Sequence, residues 1–192
     1  MDLAPWRSPL ARALQRNRSL PEARYFQLAT VQQNGRPANR TVVFRGFLDG
    51  TNSLQIITDT RSDKVNQLCH NPWAEGCWYF AKTREQFRLA GQLQLIEANE
   101  TDERLRAIRQ QLWHNLSDKA RSQFAWDHPG QPRQSEATFV PEIAAETKPL
   151  PTFCAVLLHP VHVDHLELRG NPQNRTRYDK HEADWVTLAI NP

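Results

Sequence analysis

Arg40, Arg45, Thr58, Arg61, Ser62 and Lys64 stand close together in a stretch that is otherwise apolar and rich in β-branched residues. Guanidinium groups grip oxyanions through paired N–H donors, an ammonium adds a point charge, and hydroxyls complete the shell. Where such groups flank the start of a helix, the outward-facing N–H groups of its first turn join them, and the whole set is what a phosphate needs. Taken singly, each has an ordinary reading: a strand arginine is usually solvated, and a serine at position 62 usually caps a helix. The set, rather than any one member, points to an anionic ligand.

These side chains need a scaffold, and the local sequence supplies its elements. Tyr25 to Val31 is followed by a turn at Asn34-Gly35, a run from Arg36 to Arg45, a second turn at Asp49-Gly50, and Leu54 to Thr58. Short β-branched and aromatic runs closed by glycine turns predict a three-stranded antiparallel meander. Ser62 to His70 predicts a helix with Val65, Leu68 and Cys69 on one side, stopped by Asn71-Pro72. Positions 40 and 45 differ by an odd number, so a regular strand sends their side chains to opposite faces. A bulge, a strong twist or a site shared by two subunits would bring them together.

The chain has 192 residues, enough for one domain with its own core. A composition 39% hydrophobic and 23% charged is that of an ordinary soluble globular protein. The net charge of +3 is spread along the chain, which argues against nucleic acid or an anionic membrane as partner and leaves room for a local anion site. Cys69, Cys77 and Cys154 show no metal or redox spacing and read as buried small hydrophobes in a reduced compartment. No apolar run reaches the roughly 20 residues of a membrane span and the N-terminus lacks a signal-peptide pattern, so a cytoplasmic location is expected. His159, His162 and His165 are three apart, but Pro160 interrupts them and no metal centre is expected.

In chain order, a helix is predicted over 5–18, strands over Ala74–Ala81 and Gln86–Ala98, a helix over Thr101–His114 and another over Ser117–Trp126. The proline-rich segment Asp127–Pro151 has no clear period and reads as a functional or lid-like loop, with Trp126 beside it able to line a pocket. Strands Phe153–His159, Val161–Leu168, Arg175–Lys180 and Trp185–Ile190 close the chain. The expectation is one α+β domain over 1–192: a predominantly antiparallel closed or partly closed β-barrel with flanking helices, its strands within 24–98 and 152–190 and a helical insert at 100–126.

Several motifs, ordered from Leu28 to the carboxyl terminus, resemble those of the pyridoxamine 5′-phosphate oxidase-like, FMN-binding split-barrel family, and within it an oxidase-related branch found in cyanobacteria and other bacteria. The family's strand motif is matched by Arg40-Thr41-Val42-Val43-Phe44-Arg45, with Arg45 where lysine is usual. Its phosphate turn is matched by Ile57-Thr58 and Ser62-Asp63-Lys64, with Ile57 in place of an aromatic and Asp63 in place of an arginine that Arg61 would replace. Glu85-Gln86-Phe87-Arg88, Ser122-Gln123-Phe124-Ala125-Trp126, Gln134-Ser135, and Trp185 with the terminal Asn191-Pro192 continue the match.

The resemblance implies a split barrel that binds FMN at a homodimer interface. By similarity, Gln86 hydrogen-bonds the flavin and Gln134 and Ser135 belong to the cofactor set. FMN carries a phosphate dianion at one end and, when reduced, negative charge on its ring at the other, so cations at both ends suit it. Arg40 and Lys64 suit the phosphate, Thr58 and Ser62 supply neutral donors, and Arg45 with Gln86 addresses the ring. The implied activity is hydride transfer from pyridoxamine or pyridoxine 5′-phosphate, or another small phosphorylated substrate, to the flavin. Arg175 and Arg177 stand where the oxidases carry an Arg-x-His pair, and with Arg121 they are the candidate substrate-binding residues; Leu168 stands where that pattern has a tryptophan. Two other readings are a flavin-storing or flavin-sensing protein without turnover, and a split barrel that holds a deazaflavin or haem.

Overall fold

The computed structural model describes residues 3–133, 135, 143 and 148–192. Helix α1 (Arg7–Asn17) lies within the predicted range and buries Leu10 and Ala13. Its last residue, Asn17, turns inward: Nδ2 donates to Ala13 O and Thr83 Oγ1, and Oδ1 accepts from Lys82 N at 2.9 Å. The end of α1 is thereby tied to a distant turn.

Strands β1 (Tyr25–Val31) and β2 (Pro37–Val43) form the expected hairpin, with Tyr25 opposite Val43 and Thr30 opposite Ala38. The third strand of the predicted meander is placed elsewhere. The chain leaves β2 at Phe44 and Arg45, and Arg45 N donates to Gln55 O at 2.8 Å. A two-residue strand β3 (Gly46–Phe47) then pairs with the start of β4 (Leu54–Asp59) on one edge, and the whole of β4 pairs on its other edge with β7 (Phe153–Glu167) rather than with β2. The physical reason is in β7, whose residues Phe153 to Leu158 are all buried. An apolar run of that kind belongs at the centre of a sheet, with a neighbour on each edge.

After α2 (Asp63–His70), β5 (Trp73–Phe80) and β6 (Glu85–Ile96) complete a sheet in the order β2-β1-β5-β6-β7-β4-β3. Strand β7 is one bent strand where two were expected. Its first half pairs with β4 and its second half with β8 (Asn174–His181), which pairs in turn with β9 (Asp184–Ile190). Strand β6 follows the other edge of β7 along nearly its whole length. The split in the barrel is therefore the fork between β4 and β8. At the bend, Gly91 pairs with Pro160 and Ala90 with His162, so Val161 is an extra residue that re-aims the strand.

Two apolar cores lie on the two faces of β7. Val156 and Leu158 join Trp6, Phe26, Leu28, Trp78, Phe80, Phe87 and Leu89 inside the barrel. Ala155 and Leu157 face α3 (Glu103–His114) and α4 (Asp118–Ser122), where Ile108, Leu112, Trp113, Phe124 and Phe153 pack. Asp102 caps α3 by accepting from Leu105 N, and α4 is shorter than predicted because it gives way to a 3-10 turn at Gln123–Ala125. Of the three cysteines, only Cys154 is fully buried, and burial pushes its thiol up to about 12; Cys69 is exposed and Cys77 half-buried, which corrects the expectation for both. No described helix is long and apolar enough to cross a membrane. The lid-like reading of 127–151 falls largely outside the described residues.

Glycine is obligatory at the bend, because a Cβ on Gly91 would lie 2.1 Å from His159 O and 2.8 Å from Pro160 Cα, both backbone atoms. Gly91→Ala should lower stability by about 3 kcal/mol or more, read as a fall in the urea midpoint, whereas Gly35→Ala, at φ +80 with open space around it, should cost less. Equal midpoints for the two variants would show that the close approach is not what shapes β7.

Candidate functional site

The break after β2 resolves the parity problem within a single chain. Arg45 lies beyond the last strand residue, so strand alternation does not govern it, and both Arg40 and Arg45 line one cleft of about 380 Å³. Thr41, Val42 and Val43 from β2, and Ile57, Thr58 and Asp59 from β4, form two of its walls. Lys64 enters from α2, and Gln123, Phe124, Trp126 and Pro129 close it from the helical insert. Sequence reasoning anticipated Trp126 there. It missed Asp59, Gln123 and Phe124, although the last two belong to a motif it had singled out.

Lys64 is the centre of the polar end. Its ammonium donates to Thr58 Oγ1 at 2.7 Å and Ser62 Oγ at 3.1 Å, and these two hydroxyls are themselves 3.1 Å apart. No carboxylate pairs with it among the described ion pairs. Burial, with Arg40 next in effect, pulls the Lys64 pKa down, so its charge is held at a cost. Ser62 stands at the N-cap position of α2 but does not cap it with its side chain; its hydroxyl donates to Asp59 O at 2.8 Å and faces the cluster. In the first turn of α2 the Val65 N–H donates to Ser62 O at 2.9 Å, which leaves the N–H groups of Asp63 and Lys64 at the helix start to add to the donor set.

Arg40 is anchored by neighbours that the sequence did not reveal. One amine donates to Thr30 Oγ1 and Leu28 O, the other to Gln67 Oε1, and burial lowers its pKa. Arg45 is held differently. Its buried Nε has no hydrogen-bond partner among the described residues, and its pKa is lowered by burial and then by the nearby Arg24 charge. An orphaned buried donor beside a second cation is a place that an anion or acceptor atom would relieve.

Other expected residues are placed elsewhere. Arg61 closes a bidentate pair on Asp59, Nε to Oδ1 at 2.9 Å and the amine to Oδ2 at 2.7 Å, so it neutralises the carboxylate in the cleft wall instead of offering a free charge. Arg121 is buried and donates to the carbonyls of Trp113, His114 and Leu116 and to Asp118, which makes it a clamp on the end of α3 and not a cleft residue. Gln86 sits on β6 opposite Tyr79 and Leu166, Arg175 is bidentate on Asp164, and Arg177 pairs with Asp179 at 2.8 Å; none of the three reaches this cleft in the single chain. Ser135 is exposed, and Gln134 lies outside the described residues.

Comparison with known proteins gives a consistent result. The family described as pyridoxamine 5′-phosphate oxidase, FMN-binding domain, matches residues 3–97. The chain is 56% identical to a pyridoxamine 5′-phosphate oxidase-related, FMN-binding protein of Nostoc punctiforme, with a TM-score of 0.96 and complete coverage of both chains. It is 38% identical over 194 residues to pyridoxine/pyridoxamine 5′-phosphate oxidase 2 of Arabidopsis thaliana, covering 99% of this chain and 98% of the other. It is also 28% identical over 175 residues to the dihydrophenazinedicarboxylate synthase of Pseudomonas chlororaphis, covering 89% of this chain and 76% of that one.

The cleft fits FMN on its own chemistry. The ammonium and two hydroxyls suit a phosphate dianion, the unpartnered Arg45 nitrogen suits an electron-rich ring edge, and Val42, Val43, Ile57, Phe124 and Trp126 offer apolar walls. Lys64→Met should weaken FMN binding by about tenfold to a hundredfold, the loss of a charge-assisted contact worth about 1.5–3 kcal/mol. The same change should leave the thermal midpoint of the cofactor-free protein unchanged or raised, because a buried cation beside Arg40 has been removed. Unaltered FMN affinity in fluorescence titration would refute the assignment.

Proposed function

Since this chain belongs to the pyridoxamine 5′-phosphate oxidase-related family of FMN-binding proteins and takes FMN as its cofactor, we propose that it is an oxidoreductase that removes hydride from a small phosphorylated substrate of the pyridoxamine or pyridoxine 5′-phosphate type. The observation that carries the reading is the Lys64 ammonium at the turn between β4 and α2, held by two hydroxyls and, among the described residues, by no carboxylate. Bound FMN supplies a two-electron acceptor for hydride. Lys64, Thr58, Ser62 and Arg40 would hold its phosphate, and Arg45, whose Nε has no hydrogen-bond partner among the described residues, would address the ring.

The described residues lining the cleft include no histidine, and the one carboxylate among them, Asp59, is bound to Arg61. The protein's contribution is accordingly positioning and electrostatic stabilisation rather than proton transfer by a side chain. Apolar walls from β2, β4 and the helical insert would exclude water from the reacting atoms, and Arg45 would favour the negative charge that the flavin ring gains when it accepts hydride.

Gln86, Arg175 and Arg177 enter through a second copy of the chain. The register places Tyr79 opposite Gln86, Gln86 opposite Leu166 and Leu166 opposite Arg175, so these side chains share one face of the sheet. The same face carries Arg177 with Leu188 and Asp179 with Val186, and Thr41 with Gln27 near its other end. Trp73 and Tyr79 are each 47% exposed there and Val186 52%, a large apolar surface for a chain left alone. A homodimer that covers it brings one protomer's Gln86 and paired arginines to its partner's cleft.

One observation favours a second reading, that of a flavin carrier without turnover: Arg175 and Arg177 are both committed to carboxylates. Anaerobic addition of pyridoxamine 5′-phosphate separates the two. Bleaching of the flavin absorbance by substrate, and not by buffer, is the expected result. Bleaching by dithionite alone would leave the carrier. Tyr79→Asp combined with Leu188→Asp should shift sedimentation from dimer to monomer and weaken FMN retention at least about tenfold; a monomer that keeps FMN at wild-type affinity would exclude the shared site.

A further inference from the structure

Away from the cleft, the first residue of β6 and the last of β7 set two carboxylates directly opposite each other: Glu85 pairs with Glu167 in the strand register. Like charges in that relation repel, and the pair is not on open surface. Glu85 is 8% exposed and the neighbouring His165 6%. Nε2 of His165 lies 3.0 Å from Glu85 Oε2, and its ring is stacked on Phe87 with centroids 4.0 Å apart and planes 10° from parallel. The imidazole is thus fixed in plane and aimed at the carboxylates.

No lysine or arginine forms an ion pair with Glu85 or Glu167 among the described residues. Arg12, the cation that acts on the cluster, hydrogen-bonds Ser8. Two carboxylates and one imidazole therefore share a largely desolvated corner without a bonded counter-charge, which is costly for the protein by itself. Ligand atoms of Glu85, His165 and Glu167 all lie within 4.8 Å of one another. Glu167 is the least buried of the three.

We propose that Glu85, His165 and Glu167 bind one divalent transition-metal ion, with Zn²⁺ as the best-matched probe. One imidazole nitrogen and two carboxylate oxygens form the mixed set that such ions take, with an open position left for water. A neutral imidazole carries a lone pair for the ion. The ring proton moves to the nitrogen facing away from the ion. Bound there, the ion ties the start of β6 to the end of β7 at the open end of the fork. None of the three residues lines the cleft of its own chain or is among the residues assigned to FMN.

The test uses the full-length FMN-loaded protein after dialysis against a chelator. Calorimetric titration with ZnCl₂ should give one ion per chain, and the thermal midpoint should rise by about 5–10 °C at a hundredfold excess of metal over Kd. Glu167→Gln should abolish that stoichiometric site, and Glu85→Gln should weaken it at least tenfold, both with flavin absorbance unchanged. Pulsed EPR of the Mn²⁺ form should show coupling to an imidazole nitrogen that is lost in His165→Gln, a readout that does not depend on stability. Absence of stoichiometric binding by the wild type, wild-type Zn²⁺ affinity in Glu167→Gln, or nitrogen coupling that persists in His165→Gln would each overturn the proposal.

Discussion

A strand that serves two partners along one edge has to bend, and β7 bends where Gly91 lets the backbone of His159 and Pro160 come closer than any side chain allows. Everything of interest lies on one side or the other of that bend. Before it, β7 holds β4, and β4 delivers Thr58, Asp59 and the turn into α2. After it, β7 holds β8, which carries Arg175 and Arg177, and at its last residues it meets the start of β6 where Glu85, His165 and Glu167 gather. The cleft, the sheet face and the carboxylate corner are three consequences of one backbone contact.

The cleft is a place where the fold gives up stability for binding. Arg40, Arg45 and Lys64 are drawn into partial burial, and in each case desolvation lowers the pKa before any other influence acts. The structure limits this cost in two ways. Thr30 and Gln67 satisfy the Arg40 guanidinium with neutral acceptors, and Arg61 neutralises the one carboxylate in the wall. What is left is a concentrated positive charge without an ion-paired carboxylate among the described residues, the electrostatic complement of a phosphate dianion.

Individual residues show why some functional features are readable in sequence and others are not. The cluster of Thr58, Ser62 and Lys64 was legible because its members lie within a few residues of each other on a turn and a helix start, where spacing dictates proximity. Arg61 shares that proximity yet takes another role, since a carboxylate two residues away captures it through backbone and side chain alike. Arg121 follows the same logic at the end of α3, whose terminal carbonyls need donors. The Glu85, His165 and Glu167 corner was invisible, because two of its members lie 80 residues apart and only the pairing of β6 with β7 makes them neighbours.

The amino-acid sequence by itself determined the α+β class, most of the elements, the first hairpin, the helix that follows the phosphate turn and the identity of the donors gathered there. These depend on hydrophobic period, turn chemistry and capping, which act over a few residues. Tertiary structure alone decided that β4 joins β7 instead of β2, that β7 is one bent strand and not two, and that Gln86 and Arg175 share a sheet face remote from the cleft. Strand pairing is chosen by burial across the whole barrel, and the buried run from Phe153 to Leu158 needed two neighbours that no local pattern could name.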